Sequence, residues 1–192
     1  MKTIFLLRHG EKVREKGDVE LTELGKQQAL KAGDFLINKN IESIISSPSL
    51  RCVQTAQAVS ETLNLPYTKE PKLKERIDFG DVKNQSYDNY LKLCGISTTN
   101  RNFILPNGET SIHTGERIQS VIDSNIGVLL LVTHGGAIAD YIRNTFNVDV
   151  IRDKWDGFFK YFSVPYCSIT QVDIMENSIP KLVLLGSFKY LL

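Results

Sequence analysis

The stretch TIFLLRHG, residues 3–10, decides the fold. A short apolar run from Thr3 to Leu7 ends abruptly in Arg8 and His9, as is typical of a strand that is buried on both faces. The same arrangement returns further along the chain, where GVLLLVT at residues 127–133 leads directly into HGG. The sequence therefore predicts two buried strands, each followed at once by a His-Gly pair.

Helical and strand patterns alternate around these two stretches. Thr22 is a good N-cap, and the periodicity that follows it predicts a helix through about Lys39. This alternation predicts an α/β fold in three layers, with a mainly parallel central sheet and helices on both faces. The remaining predicted elements are a strand over 42–46, a helix from Ser49, a possible helix over 86–94, a polar loop over 97–102, helices over 111–123 and 137–146, and strands over 168–174 and 181–185.

The middle of the chain is less regular, and we expect residues 67–125 to form a small irregular or helical lid. With 192 residues the chain is long enough for one well-packed domain and short for two, so we predict a single domain over 1–192.

Composition and charge narrow the function classes. A 42% hydrophobic and 23% charged composition is that of an ordinary globular protein, which excludes a disordered chain. A net charge of +1 with dispersed Lys and Arg predicts neither nucleic acid nor a membrane surface as a partner. The three cysteines form no CxxC pair, and the apolar runs are too short for a signal peptide or a bilayer span. We therefore expect a cytoplasmic protein.

The two His-Gly pairs are the strongest chemical signal in the sequence. Ligands of open parallel sheets collect at the carboxyl ends of the strands, so we expect His9 and His134 to share one pocket. A third predicted strand ends at residues 46–48, and Arg51 follows one helical turn later. Arg8 and Arg51 beside two imidazoles would make an anion pocket, and phosphate is the commonest occupant of such a pocket.

A carboxyl group would complete a site for phosphate-ester chemistry, because the departing alkoxide needs a proton. Glu75 is the candidate. Taken singly, Glu75 would be surface charge, Arg51 a solvated helix residue and His9 a loop histidine. We interpret His113, the third histidine, as an ordinary residue of a helix start. The hypothesis of a phosphate-ester site rests on the joint arrangement of these residues and not on any one of them.

Six blocks of the sequence, in order, resemble the histidine phosphatase superfamily, which is also called the phosphoglycerate-mutase-like family. The similarity spans nearly the whole chain. The blocks are LRHGE at 7–11, LTELG with QA at 21–29, SP with R and QTA at 47–56, LKER with FG at 73–80, GET at 108–110, and THGG at 133–136, with CSI at 167–169 resembling a late strand of that fold.

The resemblance implies a role for each matching residue. His9 would be the nucleophile, Glu75 the general acid and base, and His134 a third catalytic residue. Arg8 and Arg51, with His134, would hold the phosphoryl oxygens. The resemblance implies no metal and no other cofactor, and the partner would be a small phosphorylated metabolite. Further candidates at the phosphate are Thr22, read first as a helix cap, and Lys12.

One stretch departs from the family pattern. Many members read RHGET followed two or three residues later by an Asn near the phosphate, whereas this chain reads KVRE at residues 12–15. Lys12 or Arg14 would either bind a substrate anion or face solvent, and the second alternative is favoured. The departure affects the substrate side of the pocket and leaves the predicted catalytic residues in place.

Within the family, the resemblance favours a phosphatase over a phosphoglycerate mutase. Mutases exclude water with a longer chain, and they tend to carry HGNS where this chain has HGGA at 134–137. Two other hypotheses remain: a catalytically silent binding module, which is disfavoured because no predicted catalytic residue is missing, and a protein-phosphohistidine phosphatase, which usually has a shorter lid. The substrate and the oligomeric state are not predicted.

Overall fold

The computed structural model describes residues 1–155, 158, 162–176 and 178–192. Within them, strands and helices alternate through most of the chain. The strands are β1 (Lys2–Arg8), β2 (Ser43–Ser46), β3 (Tyr67–Lys69), β4 (Val128–Thr133), β5 (Ile169–Ile174) and β6 (Lys181–Ser187). The helices are α1 (Glu23–Leu36), α2 (Leu50–Leu63), α3 (Tyr87–Thr99), α4 (Ser111–Asp123), α5 (Gly135–Thr145) and α6 (Val148–Lys154).

The strands form one sheet in the order β3-β2-β4-β1-β5-β6. The first four strands of this order run parallel, while β5 and β6 are antiparallel to their neighbours. In the β1–β4 pair, Arg8 lies opposite Thr133, so the two strands end at the same level. The predicted α/β fold with a mainly parallel sheet is confirmed.

Alternate residues of the central strands enter two separate cores. In β1, Ile4 and Leu6 belong to the core on the side of α4 and α5, whereas Phe5 and Leu7 belong to the core on the side of α1 and α2. Burial of each such side chain stabilises the fold by about 1.5–3 kcal/mol. This two-sided burial explains why the strands read as continuous apolar runs, and it fixes the strand ends that carry the histidines.

The start of α1 is capped as predicted. Thr22 Oγ1 accepts a hydrogen bond from the Gly25 backbone N–H at 3.0 Å. The helix ends earlier than the predicted Lys39: α1 stops at Leu36, a 3₁₀ turn covers Ile37–Lys39, and Asn40 follows in the left-handed conformation with φ 53°.

The middle of the chain is more regular than the sequence pattern predicts. β3 pairs with β2 at the edge of the sheet, and α4 packs against α5 on the core. β3 was missed because it has only three residues, two of them exposed. The predicted loop over 97–102 is wrong for its first three residues, which belong to α3: the Ser97 and Thr99 hydroxyls donate to carbonyls one turn back, so these polar residues are compatible with a helix. α6 was not predicted.

The antiparallel direction of β5 affects the site directly. Because β5 begins where β1 ends, the segment before β5 lies beside Arg8 and His9. Arg8 donates its backbone N–H to Ser168 O at 3.2 Å, and Cys167 donates to His9 O at 3.2 Å. Among the described residues, no helix combines the length and the apolar character that crossing a membrane requires.

Candidate active site

The two His-Gly segments meet at the carboxyl ends of β1 and β4. The His9 and His134 ring centroids are 5.3 Å apart, and the ring planes meet at 69°. Both side chains are buried, and the His9 backbone N–H donates to Thr133 O at 3.0 Å. The parallel register of the two strands therefore brings together two imidazoles that are 125 positions apart in the sequence.

The hydrogen bonds of His9 define its tautomer. Arg51 Nε lies 3.2 Å from His9 Nε2, and a guanidinium can only donate, so Nε2 is the acceptor. The proton therefore sits on Nδ1, which donates to Gly10 O at 2.8 Å. Burial lowers the pKa of His9 well below its ordinary value, and the charges of Arg8 and Arg51 lower it further. His9 is thus neutral, with the Nε2 lone pair directed toward Arg51.

His134 is also neutral, but its contacts differ. Its Nδ1 accepts from Arg51 Nη2 at 3.0 Å, so Nε2 carries the proton and donates to Ser47 Oγ at 2.9 Å. Cys52 Sγ lies 3.5 Å from the same Nε2. Burial is the main reason that the pKa of His134 lies well below its ordinary value, followed by the charge of Arg51. His134 is held on its far side by two side chains of the β2–α2 region.

Arg51 links the two histidines from the first turn of α2. Only 1% of its surface is exposed, so its charge requires partners inside the protein. Asp78 accepts from Nη2 at 2.6 Å, and Asp18 lies 3.7 Å from Nη1. Arg51 therefore contacts both imidazoles while two carboxylates balance its charge.

Arg8 is the last residue of β1 and directly precedes His9. Its guanidinium lies over the Tyr166 ring, with Cζ 3.9 Å from the ring centroid, and it donates through Nη1 to Val164 O. Among the described residues, the buried Nε of Arg8 has no hydrogen-bond partner. The stacked ring and the carbonyl hold the planar guanidinium in place and leave that donor free.

Glu75 is held by two backbone N–H groups. Its Oε1 accepts from Arg76 N at 2.9 Å, and its Oε2 accepts from Gly136 N at 3.0 Å. A Cβ atom on residue 136 would lie 2.7 Å from Glu75 Oε1, so glycine makes room for this approach. On the other side, Thr133 Oγ1 donates to Leu73 O at 2.6 Å. The predicted acid is thus tied to the end of β4 and to the start of α5.

Two cavities meet at Glu75. The larger, about 660 Å³, opens on the Arg51 side, where Asp18 and Asp78 belong to its lining. The smaller, about 170 Å³, is lined by Arg8 and by Tyr90 of α3. The structure therefore places the Glu75 carboxyl group where the cavity lined by Arg8 meets the larger cavity on the Arg51 side.

The remaining predicted candidates lie further out. Lys12 is half-buried, and burial followed by the charge of Arg51 lowers its pKa, so it lies on the Arg51 side rather than in open solvent. Arg14 is exposed. Thr22 Oγ1 donates to Glu11 Oε1 at 3.1 Å besides capping α1. His113 lies in the first turn of α4.

Sequence reasoning missed three residues that contact the predicted set: Asp18, Asp78 and Tyr166. Asp78 lies inside the block at 73–80, and an acidic residue at that place was the available signal, whereas its contact with Arg51 is visible only in the fold. The position of Tyr166 depends on the antiparallel direction of β5, for which the sequence offers no indicator. Among the described residues, no three His, Cys, Asp or Glu side chains form a group that could hold a metal ion.

The described contacts place the Arg51 guanidinium against an unprotonated imidazole nitrogen of His9, and they place Arg8 and the fixed Glu75 carboxyl group in the lining of a common cavity. An imidazole of this kind can act as a nucleophile, and fixed cationic donors can stabilise the charge of a phosphoryl group in transfer. A carboxyl group at hydrogen-bonding distance can move a proton to or from an ester oxygen. The chemistry that fits the geometry is phosphoryl transfer.

Known proteins resemble this chain both in sequence and in fold. The chain is 26% identical over 196 residues to the probable phosphoglycerate mutase GpmB of Yersinia pestis, covering 92% of this chain and 87% of that protein. Its fold matches a mycobacterial glucosyl-3-phosphoglycerate phosphatase with a TM-score of 0.73 at 21% identity, covering 97% and 99% of the two chains. It also matches the Entamoeba histolytica phosphoserine phosphatase in complex with 3-phosphoglyceric acid, with a TM-score of 0.74 at 22% identity over 100% of both chains.

The family itself follows from a match over most of the chain. Residues 4–186 match the family model of the histidine phosphatase superfamily, branch 1. This range begins in β1, ends in β6 and contains every predicted site residue. The chain therefore belongs to the histidine phosphatase superfamily.

Proposed function

We propose that this protein is a metal-independent phosphatase that hydrolyses a small phosphate monoester through a phosphohistidine on His9. The observation that carries the proposal is the state of the His9 imidazole. Its Nδ1 proton is directed to Gly10 O at 2.8 Å, and its Nε2 lone pair faces Arg51 Nε at 3.2 Å. A nucleophile needs such an unprotonated nitrogen next to cationic donors that attract the phosphoryl group.

In the first step His9 Nε2 attacks phosphorus, and the bond from phosphorus to the ester oxygen breaks. Arg51 would exchange its contact with His9 for a phosphoryl oxygen, and the free Nε of Arg8 would donate to another oxygen. Fixed donors of this kind stabilise the charge that spreads over the phosphoryl oxygens during transfer. In a site without metal, these side chains supply that stabilisation.

Glu75 serves both halves of the reaction. The ester oxygen keeps the electron pair of the broken bond and takes a proton from the Glu75 carboxyl. As a carboxylate, Glu75 then takes a proton from the water that attacks phosphohistidine, which releases phosphate and restores His9. The two backbone N–H groups at 2.9 and 3.0 Å support this role, because they hold the carboxyl group at the edge of the cavity.

His134 would bind a phosphoryl oxygen through Nδ1. In the free protein this nitrogen is unprotonated and accepts from Arg51. Donation to phosphate requires a second proton on the ring, while Nε2 keeps its bond to Ser47. Since burial lowers the pKa of His134 in the free protein and a bound dianion would raise it, phosphate binding should take up a proton.

A second candidate function is phosphoglycerate mutase, which is favoured by the name of the Yersinia relative. A mutase must exclude water, so that phosphohistidine returns its phosphate to a second hydroxyl. Here the cavity of about 660 Å³ beside Glu75 is open to solvent, which supports hydrolysis. The complete set of catalytic groups supports an enzyme over a silent binding module.

Product analysis separates the two candidates. Purified protein given 3-phosphoglycerate should yield mostly inorganic phosphate and little 2-phosphoglycerate. Rapid isomerisation with little phosphate release would identify a mutase instead. A panel of phosphate monoesters in the same assay would identify the substrate class, for which solved neighbours in complex with 3-phosphoglyceric acid and phosphoserine are a starting point.

A further inference from the structure

We propose that the buried ion pair between Arg76 and Asp140 is a positioning device for Glu75, the proposed general acid. Asp140 belongs to the lining of neither cavity, and Arg76 belongs to that of the smaller one, but its guanidinium is bound to Asp140. The pair therefore acts through Glu75 and touches no reacting atom. The inference rests on the proposed function, because it assigns a purpose to the group that moves the proton.

The pair is buried, and its contacts use every polar side-chain atom except Arg76 Nε, which has no hydrogen-bond partner among the described residues. Arg76 Nη1 lies 3.0 Å and 2.9 Å from the two carboxylate oxygens of Asp140, and the two residues are 5% and 1% exposed. Ser111 Oγ donates to Asp140 Oδ1 at 2.6 Å, and Arg76 Nη2 donates to Thr98 Oγ1 at 3.2 Å. The Arg76 side chain is therefore fixed to α5 and, through Thr98, to α3.

The spacing along the two segments links this pair to the acid. Glu75 and Arg76 are consecutive, and their contacts on α5 are one helical turn apart: Gly136 N–H binds the Glu75 carboxyl, and the Asp140 side chain binds Arg76. Residues four apart lie on the same face of a helix. Glu75 and Arg76 thus bind two positions of α5 that lie one turn apart on the same face. This double contact fixes the position of the Glu75 segment along α5.

The residues on either side of Glu75 show why such an anchor matters. Thr133 Oγ1 holds Leu73 O before Glu75, and Asn107 Nδ2 holds Arg76 O at 2.8 Å after it. Among the described residues, the Glu75 carboxyl group has two backbone donors, each of which binds one oxygen. If Arg76 shifts, its own N–H moves with it, and the Oε1 contact is lost.

Stability alone is a poor explanation for this pair. Burying two charges costs desolvation free energy that their attraction only partly returns, and apolar pairs of similar size often serve a core as well. Burial raises the pKa of Asp140 to about 6, which reflects that cost. The geometry instead points to orientation of the neighbouring carboxyl group, which an apolar pair could not provide in the same way.

The test compares two ester types in single-turnover assays on the full chain. Alkyl phosphates need the acid, whereas nitrophenyl phosphate releases a stable anion and needs it little. Asp140→Asn should lower the alkyl rate about 10-fold more than the aryl rate, with little change in the half-saturating concentration, because it displaces an acid whose contribution is roughly 10²–10⁴-fold. In a Glu75→Gln background, Asp140→Asn should have little further effect on the alkyl rate, because the carboxyl group that it would displace is already absent.

Two further variants guard against a loss of folding. Arg76→Met combined with Asp140→Leu removes both charges of the pair together and should show the same alkyl-selective loss. Ile142→Val trims the buried face of the same helix outside this network, and it should leave the ratio of alkyl to aryl rates unchanged.

Each outcome has a defined meaning. Equal losses on both esters, or an effect of Asp140→Asn that persists undiminished in the Glu75→Gln background, would overturn the positioning role alone. If the wild type hydrolyses neither ester, or if Glu75→Gln itself shows no preference for alkyl esters, the proposed function of Glu75 fails and the positioning role fails with it.

Discussion

The two His-Gly segments have nearly the same local sequence but different surroundings. His9 directs its proton to the Gly10 carbonyl and leaves Nε2 open toward Arg51. His134 directs its proton to the Ser47 hydroxyl and packs against Cys52 on the far side from the pocket. One imidazole is fixed by the backbone carbonyl of the next residue, and the other by side chains at the β2–α2 junction.

In the proposed mechanism, this difference lets one motif supply two functions. A nucleophile needs a free lone pair, which the backbone contact of His9 secures through the tautomer. A residue that binds phosphate needs a hydrogen-bond donor in a fixed orientation. In this proposal, Ser47 and Cys52 hold the His134 ring in that orientation. Arg51 contacts both rings, so its positive charge acts on both imidazoles.

The largest expected effect is a loss of turnover in a His9 variant without a loss of phosphate binding. His9→Ala should lower turnover by at least about 10³-fold, the scale seen when a nucleophile is removed. Its affinity for inorganic phosphate should stay close to that of the wild type, because the donors remain. Steady-state kinetics and titration calorimetry measure the two quantities. Comparable losses in both would place His9 among the binding residues instead.

The second expected effect is the reverse pattern at His134. His134→Ala removes a hydrogen bond to a charged group, worth about 1.5–3 kcal/mol, so phosphate affinity should fall roughly 10- to 150-fold. Calorimetry in buffers of different ionisation enthalpy should also show proton uptake on phosphate binding to the wild type, and this uptake should be lost in the variant. An affinity that is unchanged in His134→Ala would remove this residue from the phosphate site.

The third expected effect is on stability in acid. Because burial holds the pKa of both histidines below 6.5, the unfolded chain takes up protons first as the pH falls through that value. The free energy of unfolding should then decrease by up to about 1.4 kcal/mol per pH unit for each histidine. Below about pH 6, Asp140 takes up a proton first in the folded protein and offsets part of this loss.

Urea denaturation at pH 7.5, 6.5 and 5.5 measures this effect. His9→Gln should reduce the slope between pH 7.5 and 6.5 by about half, since one of the two buried imidazoles is gone and Asp140 is still mostly ionised in that range. A wild-type slope that His9→Gln leaves unaltered would mean that other groups dominate the acid response.

The fourth expected effect is small and local. Ser47→Ala removes the acceptor of the His134 Nε2 proton, and a typical hydrogen bond of this kind contributes about 1 kcal/mol. Phosphate affinity should therefore fall about fivefold, while the alkyl-to-aryl preference set by Glu75 should persist. A loss as large as that of His134→Ala would mean that Ser47 holds the ring in its functional orientation almost alone.

The smallest expected effect is that of chelation. The two guanidinium groups beside the histidines would repel a cation, so hydrolysis should continue in excess EDTA. Activity that disappears in EDTA and returns with zinc, magnesium or manganese would contradict a site that works through side chains alone.

Much of this organisation could be predicted from the sequence, because the relevant signals are local. The apolar runs that end in RHG and THGG predict strand ends, and parallel strands place their ends at one edge. The direction of β5 could not be read in the same way, since apolar alternation carries no orientation, and Tyr166 was missed for that reason. β3 was missed because three mostly exposed residues produce no pattern.

The contacts of Glu75 depend on long-range packing. The sequence shows a carboxylate between two basic residues, Lys74 and Arg76, which on its own resembles solvated surface charge. Only the approach of α5 shows that Arg76 is turned inward to Asp140 and that Gly136 faces the carboxyl group. Side-chain direction within an irregular segment has no periodic signal from which it could be predicted.

The most direct test of the central claim is to trap the covalent intermediate. Wild-type protein mixed with a ³²P-labelled monoester and quenched rapidly into alkali should carry a base-stable, acid-labile label, and peptide mapping should place the label on His9. His9→Ala should carry none, while His134→Ala should still be labelled at a reduced rate. Label on His134, on a serine or on a cysteine would contradict the assignment of His9 as the nucleophile.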